Sequence, residues 1–180
     1  MISFSVVHWH LAEKGWRFAT KDDKAEDLPG ENVVADPIAG HESFTHLRDV
    51  YFESEPRYSA RFTVPVLYDK KTKRIVSNES SEIIRMLGTE FDDRVEEKYR
   101  SVQLYPEHLR QQIDETHEWT YDKINNGVYK SGFATTQQAY ERNVTALFEA
   151  LDRAEEHLKK QAEEGPYYFG KEITEADIRL

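Results

Sequence analysis

The chain has 180 residues, a formal net charge of −10, and 38% hydrophobic and 12% aromatic residues, enough apolar material for one domain or two small ones and no case for general disorder. An acidic balance of this size repels phosphate backbones and anionic lipid, so nucleic acid and membrane surfaces are poor partners. No run approaches the roughly 18 consecutive apolar residues of a membrane span, and residues 1–7 lack the basic region and cleavage site of a secretory signal. Cysteine is absent, which removes disulfides, thiolate metal sites and a cysteine nucleophile from this chain and makes a reducing cytoplasm the default compartment.

In chain order, Ile2-Ser3-Phe4-Ser5-Val6-Val7 reads as a strand that opens without a polar lead-in. His8-Trp9-His10 offers two histidines at i and i+2, but no third ligand at suitable spacing, so no metal site is expected. Residues 20–46, with Pro29-Gly30, Asp36-Pro37 and Gly40, read as a long irregular loop. A short helix is expected over 44–52, with Phe44, Leu47, Val50 and Tyr51 on one side. Residues 62–68 read as a strand interrupted by Pro65, which suits an edge or a bulge because proline gives no N–H to a ladder. The charged turn 69–73 and the strand 74–77 complete a hairpin. Asn78-Glu79-Ser80-Ser81 then supplies cap chemistry for a helix over 82–87, with Ile83, Ile84 and Leu87 inward.

From Pro106 the period becomes helical. Leu109, Ile113, Thr116, Thr120 and Ile124 share a face, and Asn125-Asn126-Gly127 is expected to break the run. A longer helix is expected over 136–163, its inner face Tyr140, Val144, Leu147, Phe148, Leu151 and Leu158, ended by Gly165-Pro166. Thr174 and Asp177 form a capping box, with Ile173 and Ile178 as the staple, four to six residues before the last residue. A helix that short is barely nucleated, and both ends of the sequence look cut. The paired acids Asp92-Asp93 and Glu96-Glu97 read as a solvated surface. The order of elements argues for a small α/β layer over 1–90, a linker over 91–105 and a helical domain over 106–180.

Two places in the first part carry chemistry. A strand backbone beside Val64-Pro65 can pair with an extended ligand, the more so if that peptide bond is cis. Glu79-Ser80 lies where free helix N–H groups favour a carboxylate, while the Glu79 side chain accepts from an ammonium. Together they suit an α-amino acid head group. Taken singly, Val-Pro is an edge device and Asn/Ser before a helix is only a cap.

Residues 61–69 (Arg61 to Asp69) and 77–87 (Ser77 to Leu87) resemble the xi/omega-like glutathione transferases known as glutathionyl-hydroquinone reductases. Gly15-Trp16-Arg17-Phe18, residues 125–134 and residues 174–180 resemble the same family, so the likeness covers almost the whole chain. It implies a partial thioredoxin-like N-terminal domain without its first strand and helix, joined to a GST-type C-terminal helical bundle, the whole truncated at both ends. It implies glutathione as co-substrate, quinone-type small molecules as partners, and a homodimer or higher oligomer.

It also implies residue roles. Val64 would pair its backbone with the glutathione cysteinyl unit beside a cis Pro65. Glu79 and Ser80 would hold the γ-glutamyl group, and Trp16 would pack against the tripeptide. Arg48, or second Arg61, would meet the glycyl carboxylate. Tyr121 and Tyr129 resemble residues lining the quinone pocket. A plainer reading stands beside several of these: Trp16 as core, Arg48 as a solvated helix charge, Tyr129 with its ring buried.

The family's chemistry runs through a Cys-Pro-Trp-Ala-type motif at the start of a first helix, where the helix terminus stabilises a thiolate. That thiolate takes glutathione from a glutathionyl-hydroquinone as a mixed disulfide, which a second glutathione resolves. No residue of this chain can take that part, so no catalytic residue is assigned and the chain is expected to be inactive alone. A non-catalytic GST-like binding or assembly module is the alternative. A thioredoxin-like sheet without its central strand leaves two unpaired edges, from which self-association or loss of order over residues 1–60 is expected.

Overall fold

The computed structural model describes residues 2–20, 23, 41, 43–100 and 102–180. The expected loop over 20–46, with its Pro29-Gly30, Asp36-Pro37 and Gly40 signals, lies mostly outside the described residues. The chain divides into two compact units, Met1–Ile83 and Ile84–Leu180.

In the first unit, helix α1 (Leu47–Ser54) turns Leu47, Val50 and Tyr51 inward, as their spacing requires. Asp49 fixes its start by accepting the backbone N–H groups of Thr45 at 2.8 Å and His46 at 2.9 Å. With Phe18 these three residues form a core against which Val7, Trp16, Phe44, Phe62, Val66 and Ile75 pack. The segment around Trp16 runs beside the start of α1: Leu47 N–H donates to the Trp16 carbonyl at 2.8 Å, and Phe18 N–H to the Thr45 carbonyl at 2.9 Å.

The hairpin is shorter than expected. Strand β1 (Leu67–Asp69) pairs antiparallel with β2 (Arg74–Ser77), with an irregular register between Leu67 and Tyr68. Asp69 closes its turn by accepting from Lys71 N–H at 2.8 Å and Thr72 Oγ1 at 2.7 Å, and Lys73 takes a left-handed φ of 57°. Residues 62–66 stay outside any ladder, and Pro65, which has no N–H to donate, follows Val64 through a cis peptide bond. Residues 2–7, expected as a strand, are not one: they show a single bridge, at Val6.

Helix α2 (Ser80–Thr89) buries Ile83, but Leu87, expected inward, is exposed. The short α3 (Glu97–Arg100) follows, fully exposed. In the second unit α4 (Arg110–Thr120) buries Ile113, Thr116, His117 and Thr120.

Asn125-Asn126-Gly127 does not break the run. Tyr121–Asn125 form a π-helical turn that leads straight into α5 (Asn126–Gly132). The long α6 (Gln137–Gln161) is capped by Thr136, whose Oγ1 accepts from Ala139 N–H at 3.2 Å. Its buried line is Leu147, Ala150 and Ala154, whereas Tyr140, Phe148, Leu151 and Leu158, expected inward, are exposed. Ile124, Leu147 and Ala150 form the second core, with Trp119 against it. Gly165 ends the helix region where a side chain has no room: a Cβ there would lie 2.2 Å from the Gly170 carbonyl oxygen.

Helix α7 (Glu175–Arg179) forms despite its length, through the expected capping box. Asp177 accepts from Thr174 N–H at 2.8 Å and Thr174 Oγ1 at 3.0 Å, and from Tyr168 N–H at 2.6 Å. Tertiary contact, rather than propensity, supports so short a helix. Glu175 N–H donates to the Leu104 carbonyl at 2.8 Å, and Glu175, 1% exposed, receives Arg85 Nε at 3.0 Å. No described helix is long and apolar enough to cross a membrane.

Candidate functional site

Tyr51, on the inner face of α1, organises the two chemical places of the first unit. Its hydroxyl donates to the Thr63 carbonyl at 2.8 Å and accepts from Asn78 Nδ2 at 3.1 Å. Asn78 Nδ2 also donates to Thr63 Oγ1 at 3.0 Å. Thr63 immediately precedes Val64-Pro65 and Asn78 immediately precedes Glu79-Ser80, so the cis-proline bend and the start of α2 are bound side by side.

At the bend, Val64 is 45% exposed, and neither its N–H nor its carbonyl has a partner among the described residues. It is a bare edge for an extended ligand. At the helix, Ser77 Oγ accepts from Glu79 N–H at 3.1 Å and donates to Glu82 Oε2 at 2.7 Å. Glu79 and Ser80 are exposed, and no side chain among the described residues accepts from the first N–H groups of α2. An ammonium acceptor and free helix N–H groups therefore stand next to each other.

The Trp16 carbonyl accepts from the N–H of Leu47, the residue before Arg48, at the start of α1. Trp16 is half-buried against the Phe18–Tyr51 core. Arg48 is half-buried and has no ion pair among the described residues; Arg61 is exposed, and its carbonyl accepts from the Tyr58 hydroxyl at 3.0 Å. Among the described residues, then, the Arg48 guanidinium is uncommitted, on the helix that also carries Tyr51.

His8 is buried and its Nδ1 accepts from His10 N–H at 3.1 Å; among the described residues no group of three His, Asp or Glu could hold a metal. Elsewhere in this unit Glu53 accepts from His41 Nε2 at 2.8 Å and from the Tyr68 hydroxyl, and lies 3.3 Å from Lys73 Nζ. Burial and the adjacent Glu53 push the Tyr68 phenol well above its ordinary value.

Both tyrosines expected at the quinone pocket are exposed in the second unit. Tyr121, 55% exposed, lies on an open cleft of about 740 Å³ with Asp114, Glu115, His117, Glu118 and Arg179. Tyr129, 64% exposed, is stacked on Phe133 instead and does not line that cleft. Neither ring is buried.

His117 and Arg179 were not legible as site residues in the sequence. His117 falls on the buried face of α4 and Arg179 reads only as part of a capped helix. Arg179 Nη1 donates to His117 Nδ1 at 2.7 Å. Burial, and then the Arg179 charge, hold the His117 imidazole below its ordinary value, so the ring is neutral where it accepts that bond.

The chain is similar to known proteins. A family model described as glutathione S-transferase, C-terminal domain, fits residues 137–180. The chain is 46% identical, over all of its length, to glutathione S-transferase omega-like 2 of Schizosaccharomyces pombe, of which it covers 53%. It is 44% identical over its whole length to glutathionyl-hydroquinone reductase PcpF of Sphingobium chlorophenolicum, covering 51% of that protein. Among solved structures it superposes on the xi glutathione transferase ECM4 from Saccharomyces cerevisiae in complex with glutathione, with a TM-score of 0.83 and 41% identity, over 98% of this chain and 61% of that one.

The chain therefore spans about half the length of the curated relatives it matches. Its hairpin with flanking helices is a partial thioredoxin-like domain, followed by a GST-type helical domain. Over that span, the chain is similar to xi/omega-like glutathione transferases and to glutathionyl-hydroquinone reductases.

Proposed function

We propose that this polypeptide is the glutathione-holding part of a glutathione-dependent transferase/oxidoreductase that acts on glutathionyl-hydroquinones. The observation that carries the reading is the Asn78–Thr63 bond of 3.0 Å, which puts the bare Val64 backbone beside Glu79-Ser80. Glu79 accepts the γ-glutamyl ammonium, the first N–H groups of α2 and the Ser80 hydroxyl take its carboxylate, and Val64 pairs with the cysteinyl backbone. The accessible part of Trp16 covers the tripeptide, and Arg48, in preference to exposed Arg61, meets the glycyl carboxylate. In this reading the chain has a glutathione-binding domain over 1–90, a linker over 91–105 and a helical domain over 106–180. Tyr121, on the cleft, and Tyr129 face the quinone-type ring. A reducing cytoplasm, where glutathione stays a free thiol, is the compartment this requires.

A second reading is favoured by one fact, the absence of cysteine. A mixed disulfide needs a protein thiol, so the chain by itself binds glutathione without turning over, as a GST-like binding or assembly module does. Immobilised glutathione tests the site. The wild-type chain is retained and eluted by free glutathione, whereas Glu79→Ala loses about tenfold or more in affinity, the scale of one charge-assisted hydrogen bond. No retention, or retention indifferent to Glu79→Ala, contradicts the assignment. Release of hydroquinone from a glutathionyl-hydroquinone by this chain alone would contradict the second reading.

A further inference from the structure

The cleft beside Tyr121 has a charge pattern that selects among aromatic ligands. Asp114, Glu115 and Glu118 face it with Arg179, three carboxylates to one guanidinium. Asp114 is half-compensated, since Arg85 Nη2 lies 3.2 Å away and the Tyr105 hydroxyl donates to it at 2.5 Å. Glu115 accepts from Gln111 Nε2 at 2.9 Å, and Glu118 has no hydrogen-bond or ion-pair partner among the described residues. The cleft is therefore net negative and repels a ligand carrying a carboxylate, sulfonate or phenolate.

Arg179 is the one described donor of positive charge on the cleft, and it is held in place. Its Nη1 is fixed on His117 Nδ1 at 2.7 Å, and its Nη1 lies 3.9 Å from Glu175 Oε2. Its own carbonyl accepts from Asn125 Nδ2 at 3.0 Å. The side chain is 19% exposed, and its remaining N–H groups make no bond among the described residues. A guanidinium has five N–H donors. A neutral oxygen acceptor takes such donors without meeting the repulsion of the three carboxylates.

We propose that Arg179, positioned by His117, donates to a ring oxygen of an uncharged hydroquinone or quinone lying on Tyr121, and that the surrounding carboxylates exclude acidic rings from this cleft. Arg179 is then a specificity-determining residue, Glu118 supplies the rejection, and His117 is a positioning residue. This rests on reading Tyr121 as part of the aromatic-ligand site.

The test titrates the full 180-residue chain with methylhydroquinone and with 2,5-dihydroxybenzoate, which adds one carboxylate to the same ring, by calorimetry under anaerobic conditions. Methylhydroquinone binds and 2,5-dihydroxybenzoate binds about tenfold more weakly or not at all, a difference that Glu118→Gln narrows. Arg179→Gln weakens methylhydroquinone about tenfold, and circular dichroism checks that this variant is folded. His117→Gln, which keeps an acceptor for Arg179, retains more binding than His117→Leu. Equal affinity for the two rings overturns the proposal. So does unchanged methylhydroquinone binding in Arg179→Gln while Tyr121→Ala weakens it, an outcome that leaves Tyr121 in the site. If Tyr121→Ala also has no effect, or methylhydroquinone does not bind, the proposal and the Tyr121 reading fall together.

Discussion

Asn78 and Tyr51 do at the residue scale what Val64, Pro65, Glu79 and Ser80 cannot do alone. The proline and the acid are visible in the sequence because each breaks a local pattern: a strand without a donor, and a carboxylate at a helix start. Tyr51 is invisible there, since a tyrosine on an apolar helix face reads as core, and it is core, 2% exposed. Its hydroxyl becomes informative only when Thr63 and Asn78 are seen on either side of it. His117 has the same history in the second unit. Its folded value lies below the ordinary 6.5, so the unfolded chain binds its proton more readily. The stability this neutral ring contributes is fully present above about pH 6.5 and is lost as pH falls through its lower folded value. Imidazole carbon resonances should place the His117 midpoint below the ordinary 6.5, with thermal stability declining as the pH falls below that value. A His117 midpoint at or above the ordinary value would contradict the Arg179–Nδ1 geometry.

At the element scale, helices were legible where large residues mark the buried side and illegible where small ones do. The inner face of α1 and the run from Leu109 to Ile124 follow their apolar and threonine spacing. α6 does not, because it packs through Leu147, Ala150 and Ala154, and alanine gives little signal beside Tyr140 and Phe148. Asn125-Asn126-Gly127 misled for a related reason. Gly127 lies within α5 instead of ending a turn, with its would-be Cβ 3.6 Å from Leu147. That distance is ordinary van der Waals contact, so Gly127→Ala should leave the fold intact and raise stability by about 0.5–1 kcal/mol through the helix term. Chemical denaturation measures it; a loss of more than about 1 kcal/mol would show that this position needs glycine's freedom.

At the scale of the whole molecule, composition and element order were enough for an α/β layer followed by helices, but not for how little of the sheet pairs. Among the described residues only Leu67–Asp69 and Arg74–Ser77 form strands, because partner selection depends on chain neighbours that periodicity does not encode. What remains beside them is apolar and open: Ile2 is 48% exposed, Phe4 68%, Trp9 61% and Leu11 57%. Surfaces of this kind favour association, so sedimentation should show a dimer or larger species despite the −10 charge, with Phe4→Ser shifting it toward monomer. A single sharp monomer would contradict that expectation.

The central claim is that Val64 and Ser80 serve one ligand, and amide resonances of isotopically labelled protein test it most directly. Adding reduced glutathione should shift the Val64 and Ser80 amides together, with one common midpoint, and leave α6 amides unmoved. If only one of the two responds, if they respond with different midpoints, or if neither responds, the bend and the helix start do not form a single glutathione site.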